Sequence, residues 1–405
     1  MKNIFYSILI AGMSTTCFGQ FGYTEPASNA EDSEYKFTKI AHLDATPVES
    51  QGWTGTCWSF SSLSFFESEL MRMGVENPAL LSEMYIARKA YELKADKFIR
   101  LDGKGNFSEG GEFHDIPYVI KNYGVVPLSI YDGLNYGSET HDHSEMFSVL
   151  NGAVKGLLEH MKSRDFEVLT PVWKNALTGI LDAYFGEDIT EFELDGKKYT
   201  PMSYAESIGL DMDNYVSLTS FTHHEMNEEC VIGIPDNWAW VSSYNVSLDD
   251  LTGAVEYALK NGFSITWTAD VSENGFSYSN GLAINPVDES TITMTGSDNE
   301  NFSDGGAERV SNAFITPVDE VDVTPEIRQE GYDNKSTTDD HLMHIVGLYK
   351  DQNGTKYYLV KNSWGTGNFP EGYLYVSESY FKWKTIMIGL HKDGLSKGMK
   401  KKLEL

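Results

Sequence analysis

The sequence predicts an α+β fold: helices come first, an antiparallel sheet follows, and a cleft lies between the two halves. Two observations predict it. Apolar residues recur at helical spacing through much of the chain up to about Asp213, and β-branched and aromatic runs take over from about Tyr244. At 405 residues the chain can bury a substantial core, and its 23 Tyr, 21 Phe and 8 Trp argue against disorder. The formal net charge is −29, with acidic residues scattered rather than blocked. That balance disfavours nucleic acid and anionic membrane surfaces as partners, because their phosphates would be repelled.

Residues 1–19 read as an export signal: Lys2 precedes an apolar run, Ile4 to Met13, which is too short to span a bilayer, and small and polar residues follow. Cys17 lacks the flanking residues that a lipid-attachment site prefers, so export to the periplasm or the medium is the expectation. Residues 20–49 are polar and mixed, with "EYKFTKI" a candidate strand. In 50–135, "CWSFSSLSFFESELMRM" reads as an amphipathic helix over Cys57–Met73, stopped by Gly74. Ser82 caps a second helix, "GNFSEGGEF" is a glycine-marked loop, and a third helix stops at Gly124. Residues 136–243 form a helical insertion. In the β-rich part, 244–390, "GFSITWTADV", "HLMHIVGLYK", "KYYLVKNSW", "GYLYVSE" and "KTIMIGL" are strands. The acidic, Ser/Thr/Asn-rich stretch from Pro286 to Asp339 reads as surface loop, and 391–405 as a tail.

Cys57 stands where a polar, glycine-rich loop meets a helix, between Trp53 and Trp58. A thiolate at a helix N-terminus meets the positive end of the dipole and the unpaired N–H groups of the first turn, which lower its pKa from about 8.5. Gly52 and Gly55 let the preceding loop turn tightly. A lone cysteine is more often an inert core residue; here partners exist. A nucleophilic thiol needs a base, and the base needs an orienter. Histidines at 341 and 344 and Asn362 lie on consecutive predicted strands. The two histidines point to opposite faces of a strand, and pattern alone does not choose between them. Cys230 can pair with Cys57 in principle, but if Cys57 stays free for chemistry it is a buried thiol.

"QGWTGTCWSFS", "DHLMHIVGLY" and "VKNSWGTG" together resemble the papain-like cysteine peptidases. "GGEFHDIPYVIKNYGVVP" and "KKYTPMSYAESIGLDMDNYVSLTSF" are similar to the bleomycin hydrolase and aminopeptidase C branch. The resemblance implies a papain-like two-subdomain fold with a helical insertion and a Gln–Cys–His–Asn site in the cleft. On this alignment Cys57 is the nucleophile, His341 the base, Asn362 its orienter and Gln51 an oxyanion donor. Trp364 shields the His–Asn bond, and Gly110 and Gly111 pair with substrate backbone. The implied reaction is removal of N-terminal residues from peptides through a thioester. The alternatives are an endopeptidase or a non-catalytic papain-fold binding protein. No cofactor is expected, and homo-oligomeric assembly belongs to the group. The branch places a C-terminal arm in the cleft, whose terminal carboxylate receives the substrate's free amine. Here His391 to Leu405 follow the last strand. Extended, they reach about 50 Å; their basic run equally suits a surface helix.

The remaining histidine clusters and Asn-X-Ser patterns are weaker signals. His141 and His143 with Glu145, and His223 and His224 with Glu225, suggest metal only faintly, because such histidines usually belong to polar loops. The patterns at Asn245 and Asn301 match glycan acceptors and add little.

Overall fold

The computed structural model describes residues 26–163, 168–298 and 306–405. The predicted export signal, Cys17 and Asn301 lie outside the described residues. Strand β1 (Thr38–His42) leads into helices α1 (Cys57–Arg72), α2 (Glu83–Arg100) and α3 (Asp115–Tyr123). The insertion contributes α4 (Ser144–Met161), α5 (Val172–Phe185), the hairpin β2 (Phe192–Leu194) and β3 (Lys197–Tyr199), and α6 (Pro201–Ile208). Then come β4 (Tyr215–Thr219), β5 (Glu229–Val231), β6 (Ser242–Asn245), α7 (Leu248–Lys260), β7 (Ile265–Ala269), β8 (Phe276–Ser277) and β9 (Leu282–Ala283). A hairpin of β10 (Thr293–Thr295) and β11 (Glu308–Val310) precedes α8 (Pro325–Asn334). The chain closes with β12 (His341–Lys350), β13 (Lys356–Lys361), β14 (Tyr373–Ser377), α9 (Glu378–Lys384), β15 (Thr385–His391) and α10 (Lys397–Lys402).

One eleven-stranded sheet runs β5-β6-β4-β15-β7-β12-β13-β14-β9-β8, with β1 added to the far half of β12. It is antiparallel except where β4 meets β6 and β9 meets β14, so the expected all-antiparallel sheet is mixed. Strands β4 to β6 arise from 215–245, so part of the segment read as helical insertion is sheet. The helical half has its own core, in which Trp58, Phe65, Phe66, Met84 and Tyr85 are fully or almost fully buried. A second core lies on the Trp267, Met343 and Ile345 face of the sheet, covered by α7.

The expectation of an amphipathic α1 is corrected: every residue from Cys57 to Leu70 is buried. A helix sunk in a core has no solvent face, so its polar residues must find partners. They do. Ser59 Oγ donates to the Glu83 carbonyl (2.9 Å), Ser61 Oγ to the Leu342 carbonyl (2.6 Å) and Ser68 Oγ to the Asp44 carbonyl (3.0 Å). Ser64 Oγ meets His344 Nδ1 at 3.0 Å. These serines, which look like a wet face in the sequence, bolt the helix to its neighbours.

Two more expectations change. The stretch from Pro286 to Asp339 is not all loop, since it carries α8, whose Arg328 is buried and donates to the Ser220 and Lys382 carbonyls (2.6 and 2.9 Å). The tail forms α10, which packs Met399 and Leu403 into the core under α7 and pairs Lys402 with Asp250 (2.7 Å). Among the described residues no helix is long and apolar enough to cross a membrane.

Candidate active site

Residues 57, 61 and 64 share one stripe of α1, because side chains three or four apart stack along a helix. Ser61 is bonded to the backbone at Leu342 and Ser64 to His344, so this stripe follows β12 toward its start. One turn before Ser61, it brings Cys57 to the His341 end of the strand. No acidic residue occupies the first turn of α1, and no side chain caps it. The positive end of the helix is therefore left for the sulfur.

His341 is 1% exposed. Its Nε2 lies 2.7 Å from Asn362 Oδ1, and the same oxygen accepts the Ser363 N–H at 2.8 Å. Because Ser363 can only donate, the amide oxygen must face both groups, and the imidazole carries its proton on Nε2. Nδ1 is then the lone-pair nitrogen. Burial pushes the imidazole pKa down to about 4, against the opposing pull of the Asn362 bond and the Asp340 charge. The ring is thus neutral near pH 7 until a thiolate arrives beside it. Trp364, 1% exposed, covers it with ring centroids 4.7 Å apart. Tyr278 holds that tryptophan's loop by donating its hydroxyl to the Gly365 carbonyl (2.7 Å).

Gln51 is fully buried and tied twice to Ser363: its N–H donates to the Ser363 carbonyl (2.9 Å), and its Oε1 accepts the Ser363 hydroxyl (2.6 Å). One hydrogen of its Nε2 goes to the Thr54 carbonyl (2.7 Å), which leaves the second amide hydrogen. Gln51, Ser363, Asn362 and His341 therefore form one connected chain of hydrogen bonds. Ser363 was not singled out in the sequence; only its place between Asn362 and Trp364 hinted at it.

The loop before Cys57 needs its glycines for packing. Gly52 has φ +60, and a Cβ there would lie 2.4 Å from the His141 carbonyl oxygen. Gly55 donates its N–H to Glu109 Oε2 (2.8 Å), while the Glu109 carbonyl accepts Trp58 Nε1 (3.0 Å). Gly111 lies against Trp58, whose ring would be 2.9 Å from an added Cβ. Over Gly110 sits the Asp236 carboxylate, 1.9 Å from where a Cβ would be.

His344 faces the other way from His341, toward α1, and burial and Lys361 hold its pKa well below the ordinary histidine value. His141 and His143 have ring centroids 6.1 Å apart, but Glu145 turns to accept the Tyr184 hydroxyl (2.7 Å). His223 Nδ1 meets Gln329 Nε2 at 2.9 Å. Among the described residues no three of these side chains converge on a point that could hold a metal ion. Cys57 and Cys230 are not joined; Cys230 is half-buried rather than buried, and burial pushes its thiol up to about 11.

The sequence profile of the papain family cysteine proteases matches residues 321–388, the stretch that holds His341, Asn362 and Trp364. Aminopeptidase G of Lactobacillus delbrueckii subsp. lactis is 22% identical over 92% of this chain and 87% of its own length. Aminopeptidase C of Lactococcus lactis subsp. cremoris is 22% identical over 87% of this chain and 83% of its own. Among solved structures, pepw from Lactobacillus rhamnosis superposes with a TM-score of 0.67 at 17% identity, over 91% of this chain and 84% of that one. With the helix-borne cysteine and the strand-borne histidine and asparagine, the chain has a papain-like fold and is similar to the papain family cysteine proteases and to the bacterial aminopeptidases G and C.

Proposed function

We propose that the protein is an exported aminopeptidase that removes N-terminal residues from peptides. The observation that carries the chemistry is the buried hydrogen-bond chain from Gln51 through Ser363 and Asn362 to His341, at the end of the strand that the Cys57 helix follows. Cys57 gives its proton to His341 Nδ1 and attacks the peptide carbonyl as thiolate. The second Nε2 hydrogen of Gln51 and the Cys57 backbone N–H receive the developing oxyanion, a contribution of roughly 3 kcal/mol per donor. The imidazolium then protonates the leaving amine, the C–N bond breaks and a thioester remains. His341, neutral again, takes a proton from water as it attacks the thioester, and returns it to the sulfur. Asn362 keeps the ring in place throughout, and Trp364 keeps water from their bond.

The export part of this reading rests on the Lys2 and Ile4–Met13 pattern of the sequence. A fractionation of the producing cells, with N-terminal sequencing of the mature protein, tests it: a mature chain that starts at Met1 in the cytoplasm would refute export.

A broader endopeptidase is favoured by one observation: α10 is docked under α7, and its terminal residues are not presented as an arm. Free-amine and N-acetylated aminoacyl amidomethylcoumarins separate the two readings. The proposal predicts cleavage of the free-amine series, dependent on reductant and lost in Cys57→Ala. Equal cleavage of the acetylated series would refute the aminopeptidase reading and leave the peptidase standing.

A further inference from the structure

Two short segments flank the site. Gly110 and Gly111 lie beside Trp58, and Asp339 and Asp340 immediately precede His341. Asp236, in the turn between β5 and β6, touches both. Its carboxylate covers Gly110, and its negative charge helps raise the neighbouring Asp339 carboxyl. The turn is firmly mounted. Asp236 Oδ1 accepts Asn106 Nδ2 (3.0 Å) and Ser108 Oγ (3.3 Å), and Trp238 Nε1 donates to Asp115 Oδ2 (2.8 Å). Asn237 Nδ2 donates to the Ile232 and Val241 carbonyls (3.2 and 3.0 Å). Oδ2 of Asp236, the oxygen nearest Gly110, receives no hydrogen bond among the described residues.

The surroundings are short of a cation. Glu112, Asp115, Asp339 and Asp340 gather near Asp236, and the buried ammonium of Lys94 spends itself on the Ser108 and Gly110 carbonyls. Glu112 is 1% exposed; Thr268 Oγ1 donates to its Oε2 (2.9 Å), but no donor reaches Oε1. It meets the Asp339 carboxyl, whose Oδ2 also lacks a donor. Burial holds both above the ordinary carboxylate range, Asp339 at about 8. Removing a charge from water without a partner is costly. A group bringing three N–H donors and a positive charge would satisfy the open oxygens.

We infer that Asp236 receives the α-ammonium of the substrate's first residue, and that the turn carrying it closes the cleft beyond that residue. The inference deepens the aminopeptidase reading and rests on it. A peptide held with its scissile carbonyl at Cys57 and its backbone along Gly110–Gly111 runs its N-terminus into the Asp236 carboxylate. A charge-assisted bond there rewards a free amine, and the turn leaves no path for a longer or acylated chain. Residues Leu403–Leu405 do not take this part, because Leu403 is 3% exposed under α7 and the Leu405 N–H is bonded to the Lys400 carbonyl (2.9 Å).

The test compares wild type with Asp236→Asn, Asp236→Ala and a deletion of Glu404 and Leu405, on alanyl, leucyl and arginyl amidomethylcoumarins and their N-acetyl counterparts. The inference predicts that Asp236→Asn lowers kcat/KM on the free-amine series about 10- to 100-fold, chiefly through KM. Asp236→Ala should also open activity on the acetylated series, and the tail deletion should leave the ratio of the two series unchanged. The iodoacetamide reaction rate of Cys57 and the melting temperature show that each variant keeps its site and fold. If Asp236→Ala fails to fold, the near-isosteric Asp236→Asn decides alone. An unchanged ratio in Asp236→Asn with an intact site overturns the inference and leaves the aminopeptidase reading standing, as does a broadened specificity after tail deletion. A wild type that cuts both series equally overturns both.

Discussion

Replacing Asn362 by alanine tests whether the imidazole is held by a bond or merely by packing. Asn362 Oδ1 accepts the His341 Nε2 proton at 2.7 Å, while Trp364 supports one face of the ring from 4.7 Å. Losing a buried hydrogen bond of this kind costs about 1–3 kcal/mol, and the Ser363 N–H loses its acceptor as well. If half to all of that cost falls on the correctly oriented ring, kcat drops roughly 2- to 150-fold while KM changes little, since about 1.4 kcal/mol is tenfold. Steady-state kinetics on an aminoacyl amidomethylcoumarin, alongside urea unfolding, separates the two effects. Asn368→Ala is the control: that side chain also donates to buried carbonyls, at Tyr278 and Tyr373 (both 2.9 Å), without touching His341. Full activity in Asn362→Ala, or an equal loss in both variants at equal stability, would refute the orienting role.

Further outcomes follow from the same geometry. Gln51→Ala should lower kcat about 100-fold by removing one oxyanion donor, and the loss should be reproduced only in part by Ser363→Ala, which keeps the amide. His341→Gln should abolish turnover, whereas His344→Gln, which retains a partner for Ser64 Oγ, should keep most activity and lose stability; the reverse pattern would exchange the two histidines. Glu320 is half-buried, accepts Asn285 N–H (2.8 Å) and Ser377 Oγ (2.5 Å), and desolvation lifts its pKa to about 7. A carboxyl raised in the folded state favours folding below its unfolded value of 4.5 and loses that contribution as pH climbs through 7. Between pH 5 and 8 Glu320→Gln should therefore lose less unfolding free energy than wild type, by roughly 3 kcal/mol; equal losses would count against it.

The most legible parts of the sequence were those governed by local chemistry. Strand β12 begins at His341 and ends at Lys350, the run read from its β-branched and apolar residues, and Ser82 accepts the Tyr85 N–H as a helix cap should (3.0 Å). The motif residues Gln51, Asn362 and His341 are joined through Ser363 by hydrogen bonds, and Cys57 starts the helix that follows β12. What was illegible depended on distant contacts. Helix α8 buries Arg328 and Gln329 rather than an apolar stripe, so it left no hydrophobic period to read. Helix α7 does have that period, with Leu251, Ala254, Val255 and Ala258 buried and Ser247 as cap, but it lies within a stretch whose composition speaks for strands. Gly110 signalled that a side chain is excluded there. The excluding group is Asp236, 126 positions later in an unpatterned turn, and no local rule connects the two.

The central claim is that Cys57 and His341 act as an ion pair. It is tested most directly by the pH dependence of Cys57 alkylation by iodoacetamide, read by mass spectrometry at each cysteine in wild type and His341→Ala. Cys230, with its thiol pushed up to about 11, serves as the internal unreactive reference. The account predicts that wild-type Cys57 reacts with a midpoint well below the free-thiol value of about 8.5, and that His341→Ala moves the midpoint up to that value or beyond. A wild-type midpoint already at the free-thiol value, or one that His341→Ala leaves unmoved, would contradict it.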